Sequence, residues 1–412
     1  MKKAAAVLYC LLFITCTVFS QRTIKGHVVN AATGQPVPGS SVFISNTSIG
    51  TVSDQSGYFS ISDVPAGRND LVVSSVGYET NVFNFSAEQL PLQVKVELQV
   101  KVKELQNVTV EPWVEEGWDR WGRMFMESFV GRTPNAKHCK IRNEKAIRFR
   151  YYKKSNRIIA YCDEPIVIEN KALGYNVRYQ LEEFEMDYKT QTLVFAGYPF
   201  FEEIDKDRKG LQRRWGAARN KSYYGSIMHF MRSLYHDSLV ENGFEVRRMK
   251  RVPNLERERI KLIYQASTVM GNNNGVRTMT LSLPVNLPKD SLDYYQRIMR
   301  QKEYLEVYGR EELTADSVII RTEGEYKILY FTDYLYVTYK RETEEKDYLL
   351  FHGEGNRNPT FQRSYVWLVN QAPVSIDVNG GYFPPQEVFS MAYWSWSEKI
   401  ADMLPQNYQP AE

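Results

Sequence analysis

The strand-and-turn grammar of residues 24 to 78 constrains this chain more than any other stretch. IKGHVVNAATGQPVPGSSVFI runs into GTVSDQSGYFSI and closes with LVVSSVGYE, so short β-rich runs are cut by Gly, Pro, Asn and Asp. Ile24, Gly26 and Val28 fall on one side of a strand, and Val42 with Ile44 on one side of the next. Between them, Ala32-Thr33-Gly34-Gln35-Pro36 is a turn in which Gly34 is free to take positive φ and Pro36 has its φ fixed. Asp54-Gln55-Ser56-Gly57 makes a second tight turn, and Phe59 with Ile61 resumes the alternation. Val94, Val96, Leu98, Val100 and Val102 then alternate with Lys95, Glu97, Gln99 and Lys101, which gives a last strand one buried and one wet face. The pattern predicts an all-β sandwich of about seven strands over residues 22–111.

These residues also carry a family likeness. Gly26 through Asn30, Gly34-Gln35-Pro36-Val37-Pro38-Gly39, Ser41-Val42, Gly50-Thr51, Asp54 with Gly57, Phe59, Pro65 with Gly67, and Gly77-Tyr78 resemble the carboxypeptidase regulatory-like domain. That is a transthyretin-like (prealbumin-like) β-sandwich frequent in Gram-negative envelope proteins. Ser41 stands where the family usually has Ala. The resemblance implies an accessory module with no catalytic residues to carry over.

Residues 1–20 have the form of a secretory signal peptide. Lys2 and Lys3 precede the apolar run AAAVLYCLLFI, and Val18-Phe19-Ser20 suits a signal peptidase. The rival reading is lipidation at Cys16, but Phe13-Ile14-Thr15 lacks the small residue usual before a lipobox cysteine. With 52 Lys and Arg against 49 Asp and Glu, the chain carries +3, and losing Lys2 and Lys3 leaves +1. Near neutrality argues against a nucleic-acid binder, which needs a local excess of cations. The basic clusters Arg247-Arg248-Met249-Lys250-Arg251 and Gln212-Arg213-Arg214 are short and read as solvated faces. No segment after the signal approaches the roughly 20 apolar residues of a membrane-spanning helix. Of four cysteines, Cys10 and Cys16 leave with the signal. Cys139 and Cys162 can then form one disulfide, provided their Cα atoms come within about 7 Å.

Residues 112–412 read as a second, larger α+β domain built on antiparallel sheet. Val114, Trp118, Trp121, Phe125 and Phe129 recur at helical spacing until Gly131. Strands are expected at 147–151, 157–161, 166–169, 175–188 and 192–201. Helices are expected at 222–242, 291–301 and 386–404, the last with an apolar stripe of Phe389, Tyr393, Trp396, Ile400 and Leu404. Further strands are expected at 259–267, 278–284, 317–341 and 361–378. Segments such as 129–133, 169–175, 197–201 and 224–232 are similar to those of uncharacterised envelope proteins that carry the same sandwich.

The chemistry-bearing motifs are few. A zinc carboxypeptidase needs His and Glu ligands at a recognisable spacing, and His27, His138, His229, His236 and His352 open no HxxE or HExxH. Gly271-Asn272-Asn273-Asn274-Gly275 lacks the Lys-Ser/Thr of a phosphate loop and reads as a hairpin turn or loop. No metal and no cofactor is expected. The best polar constellation is Ser226, His229, Arg232, Ser233 and His236, which share one helix face opposite Tyr223, Ile227, Phe230 and Leu234. There a His beside a Ser and an Arg could act as base, nucleophile and anion clamp, or the face could simply be solvated. Tyr175, Tyr179, Tyr198 and Phe200 lie on predicted strands and could stack on a sugar or peptide, or belong to a sheet core.

Two functions remain open at this level. One is a non-catalytic cell-envelope protein, exported to the periplasm or the outer membrane, that binds a glycan, a peptide or a protein partner. The other is a hydrolase using Ser226, His229 and Arg232. A transport barrel would need about 22 strands, and some 300 residues broken by amphipathic helices cannot supply them.

Overall fold

The computed structural model describes residues 22–101, 111–205, 209–266, 268–273, 276–281 and 289–411. The signal peptide at residues 1–20, the Cys16 lipidation reading, most of the bridge from 103 to 112 and the loop residues Asn274 and Gly275 lie outside them.

The N-terminal unit is the expected seven-stranded sandwich. Tyr58–Ile61, Ile24–Asn30 and Leu92–Leu98 form one sheet, in which Ile24–Asn30 runs antiparallel to the first and parallel to the last. Gly50–Val52, Ser41–Ile44, Arg68–Ser74 and Asn81–Ser86 form the other, antiparallel throughout. The inward residues predicted by alternation meet between the sheets. Ile24, Val28, Phe59, Ile61, Val96 and Leu98 pack against Val42, Ile44, Leu71, Val73 and Phe85.

The second domain is mostly β, with antiparallel sheets and short helices. In its seven-stranded sheet the long strand Tyr175–Asp187 does most of the organising. One edge of that strand pairs with Ile166–Asn170 near its start and with Arg157–Cys162 near its end. Along the other edge runs Thr192–Glu203, with a bulge at Leu181/Glu183. Phe125, Phe129, Phe149, Tyr179 and Phe184 fill the core on this sheet, with Phe125 4.8 Å from Phe184 and Phe129 4.9 Å from Tyr179. A five-stranded sheet follows, ordered Tyr304–Tyr308, Phe244–Pro253, Tyr334–Thr343, Phe361–Leu368 and Val388–Ala392. A four-stranded sheet, Ile319–Glu323, Tyr326–Leu329, Val374–Ile376 and Tyr382–Phe383, shares its core.

Several local expectations are corrected. Val114 is not helical but sits in the short strand Val114–Glu116 opposite Tyr151, and the helix runs only Trp118–Phe125 before a wider turn at Met126–Val130. Residues 255–266 form a helix where a strand was expected at 259–267. Ile260 is fully buried there, Leu262 is 65% exposed and the Arg259–Glu256 pair supports the i,i+3 spacing, so no two-residue alternation exists. The predicted helix at 386–404 is instead the strand Val388–Ala392 followed by the short helix Tyr393–Ser397. Its aromatic stripe comes from two elements, because Phe389 pairs across the sheet with Trp367. Cys139 and Cys162 are free and form no disulfide. Cys139 lies on the edge strand opposite Asn170, while Cys162 ends another strand opposite Ile147. Among the described residues no helix is long and apolar enough to cross a membrane.

The two units are docked. Asn46 N–H donates to Pro199 O at 2.8 Å and Phe201 N–H to Thr47 O at 3.0 Å, while Phe43 packs 5.0 Å from Phe200. On the far side Asn379 Nδ2 donates to Ala66 O at 2.7 Å, and the Arg68 guanidinium lies 3.5 Å over the Phe383 ring.

Candidate functional site

Of the helix expected over 222–242 the structure keeps Ile227–Tyr235, with turns from 236 to 243, and a separate helix Lys209–Tyr223 ends just before the break at Gly225. Gly225 has φ +80°, and a Cβ there would come within 2.7 Å of Gln362 Oε1 and 2.8 Å of Tyr339, so glycine is required by conformation and by space. The break turns Ser226 into a helix N-cap, whose Oγ accepts from His229 N–H at 3.1 Å.

That local geometry settles where the sequence-predicted residues go. His229 is 3% exposed and is enclosed by the rings of Tyr223, Tyr224, Phe244 and Tyr339, at 4.9 to 5.8 Å. Its Nδ1 accepts from Gly225 N–H at 3.2 Å. Burial lowers its pKa to about 4, with Asn242 opposing and the Arg341 and Arg232 charges assisting, so the imidazole is neutral. The Ser226 hydroxyl oxygen meets a backbone N–H rather than this ring, and no nucleophile–base pair is formed. Arg232 is buried, and it donates through Nε to Asn379 O and through Nη2 to Gln406 O and Tyr408 O. It therefore holds the C-terminal segment instead of clamping an anion. Ser233 donates to His229 O within the helix, and His236 is the helix C-cap. Tyr175 and Tyr179 are each 3% exposed in the sheet core. Tyr198 and Phe200 lie half-buried on the strand that meets the sandwich.

One member of the set, Ser226, lines a cleft on the other side of the helix break. The cleft has a volume of about 60 Å³, room for a few waters or one compact charged group. Glu342, Glu345, Glu398 and Asp402 line it, with Lys221 as the one cationic side chain among its lining residues, and Tyr224, Tyr393 and Trp396 supply aromatic walls. Asp402 accepts from Thr133 Oγ1 at 2.5 Å, Asn135 Nδ2 at 2.6 Å and Ser222 Oγ at 3.1 Å. Burial outweighs these bonds and raises its pKa to about 6. Glu398 accepts from Ile227 N–H at 3.2 Å, and burial pushes its pKa up to about 8. Burial also raises Glu342, which accepts from Gln362 Nε2 at 3.1 Å. Glu345 Oε1 accepts from Lys221 Nζ at 2.5 Å, and its Oε2 is buried without a partner. Trp396 is 5% exposed, and its indole N–H is likewise buried without an acceptor.

The arrangement is a desolvated carboxylate cluster in which Glu345 Oε2 lacks a donor, a state that a cationic ligand would relieve, while the Trp396 N–H lacks an acceptor. Among the described residues no group of three or more His, Cys, Asp or Glu side chains is placed to hold a metal ion. The cleft residues escaped the sequence reading, although Glu398 and Asp402, four apart just after the aromatic run Tyr393-Trp394-Ser395-Trp396, are a usable signal.

Residues 24–110 match the family model described as the CarboxypepD_reg-like domain, and the N-terminal sandwich is a domain of that kind. No curated protein matches the chain. Similar solved structures include an N-terminal interface mutant of a type II cohesin–X-dockerin complex from Acetivibrio cellulolyticus, at 26% identity and TM-score 0.17, covering 19% of this chain and 57% of that one. The chain thus spans little more than half the length of that protein. Another is a putative membrane-associated protein of unknown function from Bacteroides fragilis, at 10% identity and TM-score 0.15, covering 86% of this chain and 93% of that one.

Proposed function

We propose that this is an exported cell-envelope protein that binds a peptide or protein partner by taking a cationic group of that partner into the carboxylate cleft. The observation that carries the reading is the charge of the lining, four carboxylates against the single cation Lys221, which Glu345 already holds. A lysine ammonium or arginine guanidinium arriving there would meet Glu398 and Asp402, whose raised pKa values fall back as the opposite charge approaches. Tyr393 and Trp396 wall the same cleft, and aromatic walls favour a cation. The volume of about 60 Å³ suits the end of a side chain better than a sugar ring.

Export belongs to the same reading, and the Lys2-Lys3 start with its apolar run supports it. Fractionation of the native host with N-terminal sequencing of the mature chain tests it. For the cleft, the full chain is applied to a peptide array, and hits are remeasured by calorimetry after their Lys and Arg are changed to Gln. Binding should depend on one cationic residue and weaken about tenfold or more when Glu398→Gln and Asp402→Asn are combined. A blank array, or hits indifferent to both changes, would sink the proposal.

A further inference from the structure

The five-stranded sheet carries a second surface, separate from the cleft. Alternation sends Leu335, Val337, Val366 and Leu368 into the core on one face. The same alternation places Tyr334, Tyr336, Tyr365, Trp367, Phe389 and Met391 on the opposite face. Tyr308, 41% exposed on the edge strand, extends this set. The register makes the rings neighbours. Tyr308 lies 4.9 Å from Tyr336 and Tyr336 5.3 Å from Tyr365. In the adjoining row Tyr334 lies 5.5 Å from Trp367 and Trp367 5.7 Å from Phe389. The rings lean on one another at 39° to 64° and remain partly open to solvent.

The charges on this face are not balanced. Glu306 is engaged by the Tyr308 hydroxyl and by Lys302, and Glu245 by Arg247 and Lys340. Arg251 sits 4.9 Å over the Tyr334 ring with the Met391 sulfur as its hydrogen-bond partner, and Arg363 is exposed beyond Tyr365 on the same strand. Neither arginine takes part in an ion pair among the described residues, and Glu306, which stands opposite Arg251 across the strands, is held by Tyr308, Tyr365 and Lys302, so two cations bracket the ring rows.

We infer that this face binds an acidic polysaccharide. Sugar rings offer flat apolar faces that rest on aromatic side chains, and successive residues of a chain repeat at a step close to the ring spacings found here. Carboxylates or sulfates on that chain would meet Arg251 and Arg363, whose planar forks suit them. A neutral glycan would use the rings and leave the arginines idle.

The test is affinity electrophoresis of the full chain in native gels containing polygalacturonate, with laminarin as the neutral comparison. Polygalacturonate should retard the protein strongly and laminarin little. Trp367→Ala with Tyr365→Ala should weaken retention about tenfold, the effect of removing stacked ring area. Arg251→Gln with Arg363→Gln should weaken it by a similar factor at low salt and by less at high salt. Should the ring variant fail to fold by circular dichroism, the surface arginine pair decides. No retardation by polygalacturonate would overturn the inference. So would equal retention by laminarin, tighter binding of an oligothymidylate, or a dimer on gel filtration that the ring variant dissolves.

Discussion

At the scale of single residues the cleft acids govern how stability responds to pH. Glu398 has its folded pKa raised by burial from 4.5 to about 8, so its ionisation is disfavoured in the fold. A group shifted this way contributes fully below pH 4.5 and costs stability as pH rises from 4.5 towards 8. Glu398→Gln keeps an oxygen for Ile227 N–H and removes the titration. Urea midpoints should therefore be nearly equal at pH 5, with the variant ahead at pH 8 by about 1 to 3 kcal/mol after allowance for partial exposure. The same gap at both pH values would show that Glu398 is not titrating. His229 works in the opposite sense. Its folded pKa of about 4 lies below 6.5, so stability present above pH 6.5 is lost as pH falls towards 4.

At the scale of elements, the decisive event is the helix break at Gly225, which turns a predicted catalytic face into packing. Trp394 Nε1 donates to Gly225 O at 2.7 Å, so the break is also the point where the Tyr393–Ser397 helix is held. His229→Ala should cost about 2 to 4 kcal/mol by chemical denaturation, because a fully enclosed ring is replaced by a cavity. An unchanged melt would return His229 to the exposed face that helical periodicity suggests. Sequence periodicity put Ser226, His229, Arg232, Ser233 and His236 on one helix face. It could not tell that both sides would face protein, since the aromatic cage around His229 comes partly from Phe244 and Tyr339, far along the chain. The strand at 388–392 was illegible for a related reason. Its residues satisfy a helical stripe, and only pairing with Ser364–Leu368 selects the extended form.

At the scale of the whole molecule, the sandwich and the second domain are joined by backbone as well as side chains. The strand Thr192–Glu203 meets Asn46 and Thr47, and the C-terminal segment closes the joint through Gln406 N–H to Asn46 O at 2.6 Å and Asn407 Nδ2 to Ser48 Oγ at 2.9 Å. Gly50 lies against Phe200 so closely that a Cβ would approach its ring to 2.8 Å. Calorimetry of the full chain should show one cooperative transition. Phe200→Ala, which empties the contact with Phe43 and Gly50, should separate it into two. A single transition retained in the variant would mean that the joint does not depend on this ring.

The sandwich was determined by sequence alone, because its turns and two-residue alternation are local and each residue's conformational preference agrees with its neighbours. The mostly antiparallel character of the second domain was readable for the same reason over residues 139–203. Tertiary structure alone decided which polar residues share a cleft. Lys221, Glu342 and the Glu398–Asp402 pair lie on separate segments, and the convergence of the three follows from long-range packing that no local period encodes. Burial does the rest, since a carboxylate becomes an unusual group only when the surrounding fold removes its water.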